Sequence, residues 1–393
     1  AGRPSPAICD PGIDALRTEI RVACERSALL PPGVFSLTVP TGGGKTLAAL
    51  AFALRHAMTF GLKRVIVAVP FTSVVEQTAD VYRNWFREQL CQDVVLEHHS
   101  NLDPRKDTPL GRVAAENWDA PIVVTTQVQL FESLFGNRPA TCRKLHNLCD
   151  AVLVLDEVQS LPPAFLRPIL DVLQDLSHNY GTTILLTTAT QPALESRRLD
   201  GNPFQGFSPT PREIIPEDLR GSLWPTGKTP CLFERVRVHW PEDWNPPDPT
   251  RKENFWPALA ARIQEAGHQQ ILVITHKRQD AQDLWRALRK LDLDPLHLSA
   301  TMCPRHRRAA LARIRHRLRH GRFCIVVSTQ LVESGVDISF PVIYRAMAGL
   351  EALAQSAGRC NRHGELKDRL GDFFVFMAPS DPPQELRLGL TTA

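Results

Sequence analysis

The stretch Val39-Pro40-Thr41-Gly42-Gly43-Gly44-Lys45-Thr46 constrains this chain more than any other. It follows an apolar run, Phe35 to Val39, and opens an Ala- and Leu-rich helical pattern from Leu47 to Met58. Strand, glycine turn and helix in that order let backbone N–H groups converge on an anion at a helix N-terminus. Thr41, Gly42, Gly43 and Gly44 form the loop, Lys45 can reach the β- and γ-phosphates of a nucleotide, and the Thr46 hydroxyl can take a place on Mg²⁺. The general pattern has a further glycine five positions before Gly44, where this chain has Val39. The match is to the tail of the motif.

The same grammar recurs along the chain. Short apolar runs at 64–69, 120–124, 151–155 and 183–186 end in Pro70-Phe71-Thr72, Thr125-Thr126-Gln127, Asp156-Glu157 and Thr187-Thr188-Ala189-Thr190. Each is followed by a helical pattern or a break, which predicts a parallel sheet with crossover helices, and such sheets bind ligands at their strand C-termini. From Gln191 to Pro249 eleven prolines interrupt any long helix or strand, and this segment reads as a connector that enters a second lobe at 232–240. The alternation then restarts with runs at 271–274, 295–298, 323–327, 342–344 and 373–377. The expected fold is α/β. Residues 1–228 form a first lobe with its connector, 229–378 a second lobe and 379–393 a tail.

A chain of 393 residues accommodates two such domains. Its 43% hydrophobic and 22% charged composition reads as soluble and globular, and no apolar run reaches the length of a membrane span. No signal peptide is visible and the first residue is Ala1, so the sequence reads as a fragment or a processed form. Nine cysteines without a C-x-x-C pair point to reduced thiols in a cytoplasmic protein. The net charge of +4 identifies no partner by itself. Its distribution is more telling, because Arg305, Arg307, Arg308, Arg313, Arg315, Arg317, Arg319 and Arg322 crowd into a stretch without a single acidic residue.

Two constellations carry the chemistry. Asp156-Glu157 ends the apolar run Val152 to Leu155. One carboxylate can hold the water shell of Mg²⁺ while its neighbour orients and deprotonates the attacking water, as phosphoanhydride hydrolysis requires. Alone, such a pair could equally be a helix N-cap; the phosphate loop upstream favours catalysis. In the second lobe Gln355, Arg359 and Arg362 are spaced i, i+4, i+7 on a helical stretch starting near Leu350, which predicts one polar stripe. That lobe has no phosphate loop of its own, so its arginines are candidates for fingers on the γ-phosphate.

The set Thr41–Thr46, Asp156–Gln159, Thr188–Thr190, Ser328–Asp337 and Gln355–Arg362, in this order, resembles the motor of superfamily 2 helicases. Finer stretches, Leu96 to Asn101, Ala115 to Ala120, Ser334 to Ile338 and Gly358 to Arg362, resemble the helicase portion of the CRISPR-associated helicase-nuclease of type I systems. The resemblance covers about Ile13 to Met377 and implies two tandem RecA-like lobes with ATP between them. By the resemblance, Lys45, Thr46, Asp156 and Glu157 handle ATP and Mg²⁺, Thr188 and Thr190 couple hydrolysis to motion, and Gly335, Asp337, Gln355, Arg359 and Arg362 act on the nucleotide from the second lobe. Phe71, Thr72, Thr125, Thr126, Thr275, His276, Ser299, Thr329 and Gln330 would line a single-stranded DNA track, where hydroxyls and backbone N–H groups suit phosphate contacts. Their bland alternative is ordinary capping and turn chemistry.

The resemblance further implies 3′ to 5′ translocation, unwinding for a nuclease and recruitment by an RNA-guided surveillance complex. No histidine here is followed by aspartate, so the family's HD nuclease would act from a module upstream or in trans. An RNA helicase of the same superfamily and an ATP-switched clamp that does not travel are the rival readings. Upstream of the phosphate loop many such helicases read adenine with a glutamine; here the first glutamine is Gln77, and Arg17 lies about where that residue is expected. Cys142, His146 and Cys149 have zinc-like letters but read better as a short helix with buried thiols, and His316 and His320 sit among arginines, which repel a metal.

Overall fold

Period-2 alternation along short Val/Ile/Leu strands sorts the core onto the two faces of each sheet, because successive side chains of a strand point opposite ways. Val65, Val67 and Val69 pack on one face and Ile66 and Ala68 on the other; Val152 and Val154 divide from Leu153 and Leu155 in the same way. The computed structural model describes residues 11–90, 94–99, 114–189, 194–199, 202–223, 235–299, 301–333, 336, 338–362, 364–366 and 369–380. Among these, Gly12 to Leu223 belong to one compact unit and Arg235 onward to another.

The first unit contains β1 (Val34–Thr38), β2 (Arg64–Val69), β3 (Val95–His98), β4 (Ile122–Thr126), β5 (Ala151–Leu155), β6 (Thr183–Thr188), a small antiparallel pair β7 (Arg197–Leu199) and β8 (Asn202–Phe204), and β9 (Arg212–Glu213). Its main sheet runs β3-β4-β2-β5-β6-β1-β9 with every pairing parallel. Helices α1 (Pro11–Ser27), α2 (Lys45–Phe60) and α3 (Thr72–Leu90) contribute to one face, with Leu16, Ile20 and Cys24 of α1 buried as their spacing predicts. The second unit holds β10 (Val236–His239), β11 (Gln270–Ile274), β12 (Leu296–Leu298), β13 (Cys324–Ser328), β14 (Val342–Ala346) and β15 (Gly371–Phe376) in the order β10-β15-β14-β11-β13-β12, again all parallel. Two parallel sheets interleaved with helices are the two RecA-like lobes expected.

Because the strands are parallel, each sheet gathers its strand C-termini on one edge. Register fixes this: Thr38 pairs with Thr188, Val69 with Thr126, and Leu155 with both Ala68 and Leu186. The phosphate loop, Phe71, Thr126, Asp156-Glu157 and Thr188 therefore share the edge where α/β sheets bind ligands.

The proline-rich segment departs from its reading as a connector. Its residues 212–213 form β9, an edge strand of the first sheet, and a helix follows at Glu217–Leu223. A two-residue strand has no periodicity to betray it. What holds it is the Glu213 carboxylate, which accepts from the hydroxyls of Ser36 (3.0 Å) and Thr38 (2.9 Å) and from the Thr38 and Ile215 amides (both 3.2 Å). Glu213→Ala strands these donors beside the strand that feeds the phosphate loop, and is expected to cost about 1–3 kcal/mol in chemical denaturation. A loss below about 0.5 kcal/mol would show that other contacts hold the edge.

Candidate functional site

The phosphate loop is a turn of positive-φ glycines. Gly42 (φ 89°) and Gly44 (φ 81°) lie in the left-handed region that favours glycine, and the Gly43 amide donates to Pro40 O at 3.0 Å. A Cβ on Gly44 would stand 3.3 Å from Arg17 Cγ as well as straining that backbone. Arg17 grips the loop. Its Nε and Nη2 donate to Gly42 O at 3.0 and 2.7 Å, and its Nη1 donates to Asp14 at 3.1 Å. A guanidinium engaged in this way, and unable to accept, makes no paired donor–acceptor contact with an adenine edge. We expect kcat/KM for ATP and GTP under saturating single-stranded DNA to differ by about tenfold at most. A preference for ATP beyond about a hundredfold would show that other groups read the base.

Lys45 lies across the loop from the two carboxylates of the β5 end. Its Nζ is 2.7 Å from Glu157 Oε1 and 3.4 Å from Asp156 Oδ1. Burial pulls the ammonium pKa down, but the two carboxylates outweigh it and the net shift is upward, so Lys45 stays charged. Each carboxylate is held by a side-chain donor, Asp156 from the neighbouring β6 end and Glu157 from two residues further along its own turn. Thr187 Oγ1 donates to Asp156 Oδ1 at 2.5 Å, and Gln159 Nε2 donates to Glu157 Oε2 at 2.6 Å. Thr188 Oγ1 donates to Gln159 Oε1 at 2.7 Å, which links the β6 end to Glu157 through one side chain. Sequence alone assigns Thr187 no role; its β6 position, between β5 and β1, gives it one. Glu157 itself sits at φ 52°, ψ 56°, a left-handed conformation that costs a non-glycine residue of order 1 kcal/mol. Thr190 lies outside the described residues.

The predicted polar stripe of the second unit is not a single helix. The helix runs Leu350–Ala357 and carries Gln355, but the chain then turns through Gly358, pairs Cys360 with Phe340 in an isolated bridge and reaches φ 46° at Asn361. Arg359 and Arg362 thus lie beyond the helix. The Arg359 side chain is buried; its Nε and Nη2 donate to Val332 O and Glu333 O, both at 2.9 Å, and its Nη1 has no partner among the described residues. Arg362 is held by its backbone: its N–H donates to Ser339 Oγ at 3.0 Å and its carbonyl accepts from Arg235. Gly335 and Asp337 lie outside the described residues.

The strand-end residues proposed for the DNA track reach the expected edges, but most of their side chains already have partners. Thr125 Oγ1 donates to His98 O, Thr126 caps the helix Gln127–Phe135 through the Gln129 amide, and Thr275 Oγ1 donates to Lys277 O. Ser299 bonds Thr301, Thr329 is buried, and Gln330 Nε2 donates to His276 O. His276 donates through Nε2 to Met347 O, and burial, helped by Arg345, drives its pKa down to about 4, so the ring is neutral near pH 7. Phe71 is half exposed and Thr72 opens α3.

The lesser clusters resolve blandly. Among the described residues Cys142, His146 and Cys149 do not form a ligand group, and both thiols are half-buried rather than buried. The arginine-rich segment is the helix Pro304–Arg319, with Ile314 buried, Leu311 and Leu318 packed on the core, and Arg313 and Arg317 meeting Asp294 at 3.4 and 2.5 Å.

Comparison with known proteins fits this arrangement. The family described as DEAD/DEAH box helicase matches residues 22–198, which carry the phosphate loop and both carboxylates. The family described as CRISPR-associated nuclease/helicase Cas3, C-terminal, matches residues 267–365. The chain carries a DEAD/DEAH box helicase domain followed by a Cas3-like C-terminal domain. The CRISPR-associated nuclease/helicase Cas3 of Haloferax volcanii is 26% identical over 90% of this chain and 47% of that relative. Among solved structures, T. fusca Cas3 with AMPPNP superposes at a TM-score of 0.70 with 18% identity, covering 99% of this chain and 50% of that one. A chain of a CRISPR RNA-guided surveillance complex in a pre-nicking state superposes at 0.61 with 18% identity, covering 95% and 44%. At those identities the superpositions establish the fold. This chain spans about half the length of these Cas3-family relatives.

Proposed function

We propose that this chain is the ATP-driven motor of a CRISPR interference system, which moves along single-stranded DNA and unwinds it for a nuclease module upstream or in trans. The observation that carries this reading is Lys45 Nζ between Glu157 and Asp156 at the ligand-binding edge of the first sheet. Without a nucleotide, the lysine neutralises both carboxylates. Arriving β- and γ-phosphates offer Lys45 a denser negative charge, and its transfer to them frees Glu157 to orient and deprotonate the attacking water. Thr187 and Gln159 keep the two carboxylates in place through that exchange. The Thr46 hydroxyl and the Asp156 carboxylate, directly or through waters, form a hard oxygen donor set that fits Mg²⁺, which when bound would neutralise charge on the phosphates.

In this reading Gln355, Arg362, Gly335 and Asp337 act on the nucleotide from the second unit. Arg359, which the same reading assigns to the nucleotide, also braces the segment at Val332–Glu333. Backbone amides at the strand ends take DNA phosphates without reading bases. The match to the Cas3 C-terminal model, together with the likeness to a chain of a surveillance complex, supports an RNA-guided complex as the partner that loads the motor. Among the described residues no helix is long and apolar enough to cross a membrane. A strand-displacement assay tests the motor. ATP-dependent release of a complementary strand, biased 3′ to 5′, is expected; ATP hydrolysis with tight strand binding and no release would mark a clamp instead.

A further inference from the structure

Gln127 does not belong to the motor motifs, yet it reaches the catalytic turn. It is the first residue of the helix Gln127–Phe135, which begins directly where β4 ends, without an intervening loop. Glutamine at a helix start usually points into water; this one is only 6% exposed. Both ends of its amide are engaged across the sheet edge. Nε2 donates to Asp156 O at 2.7 Å, and Oε1 accepts from Ser160 Oγ at 3.2 Å. These partners lie on either side of Glu157 in the chain, and Ser160 Oγ also contacts Glu157 O at 2.7 Å. One side chain therefore brackets the left-handed turn that aims the catalytic carboxylate.

The other end of the connection is the strand-end row. Thr126 caps the helix that carries Gln127, and Thr125 is tied to the end of β3 through His98 O. Backbone at 125–127 that shifts to receive a DNA phosphate must carry the Gln127 amide with it. The amide can follow only by moving the Asp156 carbonyl and the Ser160 hydroxyl, since a buried amide left without partners is costly. We propose that Gln127 is a positioning residue that transmits occupancy of the Thr125–Thr126 strand end to the Asp156–Glu157 turn, and so sets how far single-stranded DNA stimulates hydrolysis. This rests on the motor reading above and adds to it a route from strand to nucleotide within the first unit.

The test is steady-state ATPase of Gln127→Met and Gln127→Glu, with and without a saturating oligothymidylate, alongside strand affinity by fluorescence anisotropy. Methionine keeps the volume and removes both hydrogen bonds. Glutamate keeps the acceptor for Ser160 and removes the donor to Asp156. Both variants are expected to lose about tenfold in strand-stimulated kcat, the scale of one buried hydrogen bond, with KM for ATP, strand affinity and unstimulated turnover within about twofold. A parallel fall in stimulated and unstimulated turnover would make Gln127 a fixed brace and overturn the proposal, as would full stimulation in Gln127→Glu. If both variants fail to fold, Ser160→Ala decides, because it cuts one arm at an exposed hydroxyl. A loss of about threefold in stimulation supports the relay, and unchanged stimulation overturns it. Absence of stimulation in the parent chain would overturn the motor reading, and this inference with it.

Discussion

Lys45→Ala is expected to abolish ATP hydrolysis while the chain keeps its native circular dichroism. The ammonium faces Glu157 at 2.7 Å and Asp156 at 3.4 Å, and no other lysine or arginine among the described residues pairs with either carboxylate. Its removal leaves two half-buried acids without a counter-ion, and leaves the β- and γ-phosphates without their cation. Binding of nucleotide should weaken as well, since those phosphates would meet uncompensated carboxylates. Near-wild-type turnover in a folded Lys45→Ala protein would remove the active-site assignment.

Arg362→Ala is expected to separate binding from chemistry. Nucleotide affinity should stay within several-fold of the parent while hydrolysis slows by roughly three orders of magnitude, the scale of a missing arginine finger. The turn at Arg362 is held by its own backbone N–H and carbonyl, through Ser339 and Arg235, so truncation at Cβ spares those contacts. Arg359→Ala is the informative contrast, because its guanidinium holds the Val332 and Glu333 carbonyls and its loss should lower stability together with turnover. Equal loss of binding and turnover in Arg362→Ala would say that Arg362, too, is a structural residue.

Why some of this was legible in the sequence and some was not has physical causes. Strands β2 and β5 match their predicted runs residue for residue, because both are short and, apart from Arg64 at the start of β2, apolar. The run predicted at 120–124 is instead Ile122–Thr126, since ladder pairing carries the polar Thr125 and Thr126 into the strand. Lys45, Asp156 and Glu157 lie close together because a glycine loop and a strand-end carboxylate pair belong to one parallel edge, which the alternation of elements implies.

The misses lie where a residue's role depends on a distant partner. Glu213 sits among prolines, and its purpose appears only when Ser36 and Thr38, far earlier in the chain, arrive beside it. Spacing of i, i+4, i+7 suggested a helical stripe for Gln355, Arg359 and Arg362, but spacing carries no information on where a helix stops; the turn at Asn361 and the bridge at Cys360 decide that. Threonine at a strand end can equally cap a helix, bond a neighbouring carbonyl or meet a phosphate, and Thr125, Thr126 and Thr275 have taken the first two courses.

The central claim is that hydrolysis at Lys45, Asp156 and Glu157 is driven by a nucleic-acid strand, and that the strand is DNA. The most direct measurement is the ATPase rate of the purified chain with single-stranded DNA, with single-stranded RNA of the same sequence, and with neither. Strong stimulation by DNA that grows with strand length, against weak stimulation by RNA and a low rate alone, is the predicted result. Stimulation by RNA equal to or above that by DNA, or a rate indifferent to both, would contradict it.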